Sequence, residues 1–353
     1  MPPAALDQPK EVRGEDAFDV AAVDGYLKQH VNGLQGAPAV KQFPGGASNL
    51  TYQLSYPGRD LILRRPPGGQ IPKSGHDMRR EYTVQSKLAP VYPYVPKMVC
   101  FCDDQSVIGS DFYVMDRMRG IILRSNLPRG MTLTPSEARE LSTSWVERLV
   151  DLHKVDPVAA GLQDLGRGGG YVARQIGGWS KRYTAARTYN VPSFKKVIAW
   201  LEDNTPDDVA NCVIHNDWRF DNIVLDPDDP QKIIGVLDWE MATLGDPLME
   251  LGCALSYWVE AGDARLAQKF RRQPSHLPGM LTREEIIAMY AEKSGTAIDD
   301  IRFYRVYGYF RLAGIIQQIY KRYHEKETTN PHFKQFWIGV WWLHSAARKA
   351  INS

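Results

Sequence analysis

"HNDWRFDNIVLD", residues 215–226, places His215, Asp217 and Asn222 in one short polar stretch. The apolar run "KIIGVLDWE", residues 232–240, then ends on a further acid, Asp238. "NIVLD" and "KIIGVLDW" read as two β segments, and the "PDDPQ" between them supplies the Pro and Asp residues of a turn. Paired as a hairpin, they bring Asp217, Asn222 and Asp238 to the same end. One carboxylate and one amide oxygen there suit Mg²⁺, a hard cation that keeps water and phosphate among its ligands. An Asp five residues before the Asn is placed to accept the proton of a substrate hydroxyl. Phosphoryl transfer needs this set of parts, because it depends on positioning and charge neutralisation more than on covalent help. Each residue alone also has a structural reading, as a turn cap, a strand start or a strand end. Their combination and order favour the chemical one.

The rest of the chain sets the frame. At 353 residues it exceeds a single small core, so two packed units are expected. Apolar residues at 43% and charged residues at 24% fit an ordinary globular protein. The net charge of +2, with only short basic clusters, gives no extended surface for nucleic acid. Cys100, Cys102, Cys212 and Cys253 follow neither a CxxC pattern nor a disulfide framework, so free thiols are expected. Residues 1–15 lack the apolar core of a signal peptide, and "FWIGVWWL" is far short of the ~20 residues that span a bilayer. A cytoplasmic protein with no membrane partner is the expectation.

Residues 1–15 are Pro- and charge-rich and read as a disordered tail. Helical spacing follows over 17–31, then short β segments: "AVKQF", "NLTYQLSY", "DLILRR", "KMVCFCDD" and "DFYVMDRM". One helix, 75–89, interrupts them. From residue 119 the pattern is mainly helical, with 135–156, "PSFKKVIAWLEDN", a capping box at Thr282 and Glu285, and a long helix over 298–324. On that last helix Ile301, Tyr304, Leu312, Ile315 and Ile319 form the expected core stripe, and Gly308 on it leaves room for a close neighbour. The fold class is therefore α+β: a tail to residue 15, a β-rich lobe with a leading helix over 16–118, and an α-rich lobe over 119–353.

"HNDWRFDN" followed by "VLDWE" resembles the catalytic segment of the aminoglycoside phosphotransferase-like kinases. These share His-x-Asp-x-x-x-x-Asn with the protein kinases and commonly carry Asp-Trp at the later metal motif. The resemblance implies a two-lobed protein-kinase-like fold, ATP and Mg²⁺ as cofactors, and a small-molecule hydroxyl as acceptor. It implies Asp217 as catalytic base, Asn222 and Asp238 as metal ligands, and His215 as a buried organiser of the loop. "LRRPPGG", "REY" and "YVARQIGGWSKRY" are similar to the branch found as kinase-like domains fused to acyl-CoA dehydrogenases. That likeness suggests a hydroxyacyl-CoA or hydroxy acid as acceptor.

A kinase also needs a nucleotide site upstream, and four features appear in the required order. In "FPGGASNLTYQL" the amides around Gly46, Ser48 and Asn49 are placed to cradle phosphates. In "LILRRPP" the strand period puts Ile62 and Arg64 on one face and Arg65 on the other. Arg64 stands where the family usually has Lys, and offers a planar fork to phosphates. Glu81 lies along the apolar stripe of its helix, so it needs a partner if buried, and Arg64 is the candidate. The backbone of Asp116 and Met118 forms the expected hinge that reads the adenine edge. Asp246 is expected to cap the next helix, where the resembling fold has an acid that braces the catalytic loop. Arg174, Trp179, Glu240 and Arg311 are candidates for acceptor binding, each with a packing or surface role as the alternative. "LGRGGGYV" lacks the Lys-Ser/Thr ending of a phosphate loop and reads as a connector. The rival function is a pseudokinase that binds nucleotide or serves as a scaffold. The substitution of Arg for Lys favours it, and the complete set of Asp217, Asn222 and Asp238 opposes it.

Overall fold

The computed structural model describes residues 7–44, 49–67 and 77–353. Its early elements are α1 (Val20–His30), β1 (Ala39–Gln42), β2 (Leu50–Tyr56), β3 (Arg59–Arg65), α2 (Met78–Leu88), β4 (Met98–Cys102), α3 (Gln105–Ile108) and β5 (Phe112–Asp116). Then come α4 (Pro135–His153), α5 (Tyr171–Ala186), α6 (Lys195–Asp203), β6 (Cys212–Ile214), β7 (Ile223–Leu225), β8 (Ile233–Val236) and β9 (Thr243–Gly245). The chain ends in α7 (Pro247–Tyr257), α8 (Arg265–Phe270), α9 (Arg283–Ser294), α10 (Arg302–His324) and α11 (Phe336–Ile351). The chain divides into two compact units. One holds residues 1–122, 160–162 and 223–242, and the other holds the remainder.

In the first unit five antiparallel strands lie in the order β1-β2-β3-β5-β4. Strand alternation sorts their side chains into two layers. Tyr52, Leu54, Leu61, Leu63 and Val114 pack with Val23 and Leu27 of α1. Ile62, Tyr113 and Met115 pack instead with Met78 and Tyr82 of α2. Arg64 shares the period of Ile62, which turns its guanidinium towards the α2 side. Each helix begins on an acid: Asp19 accepts from the Ala22 amide, and Asp77 from the Arg80 amide. Part of the expected tail is built into this unit. Lys10 and Gln42 exchange both backbone hydrogen bonds at 2.7 Å, and Arg13 and Asp16 form an ion pair at 2.6 Å. An unpaired β1 edge accepts that segment, which the Pro- and charge-rich composition did not foreshadow.

β7 and β8 form the expected hairpin, with Ile223 opposite Val236 and Val224 opposite Gly235. The hairpin was expected with the α-rich lobe but groups with the β-rich unit. Ile121 and Leu225 form an antiparallel bridge, and Val236 donates to the Tyr94 carbonyl at 2.6 Å.

The second unit is helical apart from the short β6–β9 pair. Capping boxes at Thr134/Glu137 and Thr282/Glu285 start α4 and α9, the latter as the sequence implied. The α10 stripe is corrected. Tyr304 and Leu312 are buried, but Ile301, Ile315 and Ile319 are only partly so, while Phe303, Val306, Tyr307, Phe310 and Tyr320 are buried as well. α10 packs against α5, α6, α7 and α11, so it is enclosed on several sides rather than along a single stripe. Where α7 crosses α10, Gly252 and Gly308 face each other. A Cβ on Gly308 would lie 2.1 Å from the Gly252 carbonyl oxygen, and one on Gly252 would lie 2.2 Å from the Tyr304 carbonyl oxygen. Gly308→Ala is therefore expected to force the two backbones apart and cost about 1–3 kcal/mol by overpacking. Urea unfolding measures this, and an unshifted midpoint would show that the crossing yields without cost.

Candidate active site

The 215–222 stretch lies in the second unit, on the chain leaving β6. Asn216 holds a left-handed backbone, φ 68°, which turns the chain sharply before Asp217. Glu250, on the first turn of α7, fixes this turn: its carboxylate accepts from the amides of His215 (2.9 Å) and Asn216. Glu250 also takes His153 Nε2 at 2.8 Å, and His153 Nδ1 meets the Tyr290 hydroxyl at 2.7 Å. From the other direction Arg311 donates to the Asn216 carbonyl at 2.8 Å. His215 is fully buried, and its Nδ1 accepts from the Asp217 amide at 3.2 Å. The His215 and Asn216 amides, the Asn216 carbonyl and the Asp217 amide are thus each held by a buried side chain.

Asp217 keeps 20% side-chain exposure. Arg219 Nε donates to its Oδ2 at 3.0 Å, and Asn222 Nδ2 donates to the same oxygen at 2.8 Å. Among the described residues no protein donor bonds Oδ1. That oxygen is left able to accept a further hydrogen bond. Asn222 uses its amide nitrogen on Asp217, which leaves its amide oxygen without a protein donor among the described residues. Arg219 also pairs with Asp221 at 3.1 Å. Burial raises the Asp221 carboxyl, and Arg219 offsets part of that.

The nucleotide-side residues lie in the first unit. Arg64 bridges two acids, Glu81 Oε1 at 2.6 Å and Asp238 Oδ1 at 3.0 Å. Glu81 is 1% exposed and Asp238 35%. Burial works against the Arg64 cation, but the two carboxylates outweigh it and hold the guanidinium above its ordinary range. Burial pushes the Glu81 carboxyl up, and Arg64 draws it part of the way back. Asp238 sits at φ 68° on the turn after β8, with the Trp239 indole donating to Val236 at 2.8 Å behind it. Asn49 Nδ2 donates to Glu240 at 3.2 Å and lies 3.5 Å from Glu81. Asp116 closes β5, where Arg59 donates to its carboxylate at 2.8 Å, and Met118 packs against Gly235 of the hairpin. Gly46 and Ser48 lie outside the described residues.

Other expected residues are distributed differently. Asp246 caps α7, accepting from the Met249 amide at 2.9 Å, and its second oxygen takes the Val209 amide at 2.6 Å. It therefore supports the chain before β6, while Glu250 contacts the catalytic stretch. Arg174, on α5, donates to the Gly168 carbonyl at 2.7 Å and to Gly169, in the connector that precedes its own helix. Glu240 is engaged by Asn49. Trp179 and Arg311 do come together, with the guanidinium 5.5 Å from the indole centroid. Glu250, His153 and Arg219, which hold the 215–222 stretch, were not singled out in the sequence. For Glu250 the available signal was an acid inside the apolar run "PLMELGCAL". All four cysteines are buried free thiols, and among the described residues no helix is long and apolar enough to cross a membrane.

Residues 39–286 match the family model described as the phosphotransferase enzyme family. The chain is 35% identical over 322 residues to acyl-CoA dehydrogenase family member 11 of Homo sapiens, a match that covers 89% of this chain and 40% of that protein. It therefore spans well under half the length of that relative. A crystal structure from Ralstonia eutropha assigned as an aminoglycoside phosphotransferase is 30% identical, with TM-score 0.82, covering 95% of this chain and 99% of that one. A macrolide 2′-phosphotransferase type I shares the fold at 15% identity and TM-score 0.61, covering 94% of this chain and 98% of its own.

Proposed function

The chain belongs to the phosphotransferase enzyme family, and from that premise we propose that it transfers the γ-phosphoryl group of ATP, with Mg²⁺, to the hydroxyl of a small molecule. The observation that carries this reading is the asymmetry of Asp217: Oδ2 is held by Arg219 and Asn222, while Oδ1 has no protein donor among the described residues. A base held in this way presents a fixed lone pair to the acceptor hydroxyl and takes its proton as the phosphoryl group arrives. Arg64, fixed by Glu81, supplies a permanent positive charge for the nucleotide phosphates.

The metal assignment rests on donor chemistry. Among the described residues no three acids, histidines or cysteines gather into a self-sufficient metal site. Mg²⁺ does not need one, since one or two protein oxygens together with phosphates and water complete its shell. The Asp238 carboxylate and the Asn222 amide oxygen are the protein ligands in this reading, and the bound ion would neutralise phosphate charge. Asp238→Ala should then weaken Mg²⁺·ATP binding while affecting metal-free nucleotide much less. Calorimetric titration with and without Mg²⁺ measures both, and equal Mg²⁺·ATP affinity in the variant would remove Asp238 from this role.

For the acceptor, the likeness to acyl-CoA dehydrogenase family members supports a hydroxyacyl-CoA or hydroxy acid. ATP consumption in the presence of Mg²⁺, across hydroxyacyl-CoAs, hydroxy acids, amino alcohols and aminoglycosides, tests the whole reading. Nucleotide binding with no turnover on any of them would favour the pseudokinase.

A further inference from the structure

The acceptor's charge can be read from the residues beside the catalytic stretch, within the second unit. Arg311 is 4% exposed, yet among the described residues no carboxylate forms an ion pair with it. Its Nη2 hydrogen bond goes to a neutral group, the Asn216 carbonyl, one residue before Asp217. A buried charge left without a counter-ion is costly, and proteins seldom keep one without use. Next to it on α5 stands Arg182, whose guanidinium lies 4.1 Å from the Trp179 centroid, the same indole that Arg311 approaches at 5.5 Å. Arg182 is solvent-exposed, and among the described residues it makes neither a hydrogen bond nor an ion pair. Tyr171 completes the group by donating to the Asn216 side chain at 3.2 Å. One buried cation, Arg311, therefore touches the Asn216 carbonyl, and a second, Arg182, shares the Trp179 indole with it. Of the acids in this region, Glu250 is engaged by backbone amides and Asp221 by Arg219, while Asp217 itself is held at Oδ2 by Arg219 and Asn222.

We propose that Arg182, seated on Trp179 beside Arg311, is the specificity residue that binds an anionic group of the acceptor, a carboxylate or a phosphate. This rests on the kinase reading above. The indole holds the guanidinium flat so that its fork stays open to a planar or tetrahedral anion, and buried Arg311 adds positive potential behind it. A polycationic acceptor would meet two like charges there.

The test compares the wild type, Arg182→Gln and Arg182→Lys on 3-hydroxybutyrate, 3-hydroxybutyryl-CoA, the uncharged methyl ester and kanamycin. KM for the charged hydroxy compounds is expected to rise roughly tenfold to a hundredfold in Arg182→Gln, the size of one lost charge-assisted hydrogen bond. Arg182→Lys should recover part of it, while KM for the methyl ester and for ATP stays the same. A rise with the free acid assigns a carboxylate, and a rise confined to the thioester, whose charge resides on its phosphates, assigns a phosphate. An unchanged KM for both anionic compounds, or a wild-type preference for kanamycin, overturns the inference and leaves the kinase reading standing. If the wild type turns over none of the four, calorimetric binding of the two anionic compounds decides. Binding lost in Arg182→Gln upholds the anion site while the missing turnover counts against the kinase reading alone, and no binding to the wild type overturns the anion site.

Discussion

Asp217→Asn is expected to lower turnover by ~10²–10⁴-fold while leaving the fold and nucleotide affinity nearly unchanged. The reason lies in how the carboxylate is held. Both side chains that bond it, Arg219 and Asn222, donate to Oδ2. An asparagine at 217 can present its single carbonyl oxygen to those two donors and turn its amide nitrogen to the open position. The packing therefore survives, and the lone pair that would accept the acceptor's proton is replaced by an N–H group. Leaving the Asp217 side unable to accept a proton should reduce kcat with little change in the KM for ATP. The measurement is steady-state phosphorylation of whichever acceptor the wild type uses, alongside thermal unfolding of both proteins. A variant that folds and turns over at the wild-type rate would remove Asp217 from its role as base. A variant that unfolds would show instead that Oδ2 needs a full negative charge to hold Arg219.

How far the sequence revealed this site depends on whether each contact is local. Hairpin β7–β8 was legible because both of its strands and its turn lie in one stretch. The pairing of Arg64 with Glu81 was legible because an acid on an apolar helix stripe demands a cation, and a strand of period two offered one. The brace on the catalytic turn was not, since Glu250 meets the amides of His215 and Asn216 from another element. In sequence Glu250 stands out as an acid inside an apolar run, but nothing there marks its partners. β6 and β9 have three residues each, too short for any alternation to register. The α10 stripe misled for a related reason: periodicity assumes one buried face, and a helix packed by four others has more than one. Gly308 was the residue on that helix whose role the sequence did reveal, because a glycine inside a long apolar helix has few uses other than close approach.

Arg64→Ala is expected to destabilise the protein by about 3–5 kcal/mol at neutral pH, because it strands the Glu81 charge in the interior. The effect should carry a pH signature that a simple loss of volume would not. Burial already holds the Glu81 carboxyl above its ordinary value of 4.5, and Arg64 is the main influence drawing it back. Without Arg64 the folded-state value climbs further. A carboxyl raised in the folded state favours folding below its unfolded value, and that contribution is lost as pH rises through the folded value. The deficit of the variant relative to the wild type should therefore be greatest at neutral pH and shrink as pH falls towards the ordinary value of 4.5, where Glu81 takes up its proton. Urea unfolding of both proteins across that range checks the trend, and a deficit flat in pH would show that no stranded charge is involved. Two further variants separate charge from shape. Arg64→Lys keeps a cation beside Glu81 and should recover most of the stability, even though a single ammonium lacks the fork that reaches Glu81 and Asp238 together. Adding Glu81→Gln to Arg64→Ala removes the stranded charge itself, so the double variant should be more stable than Arg64→Ala alone. That reversal is the outcome a merely structural arginine would not produce.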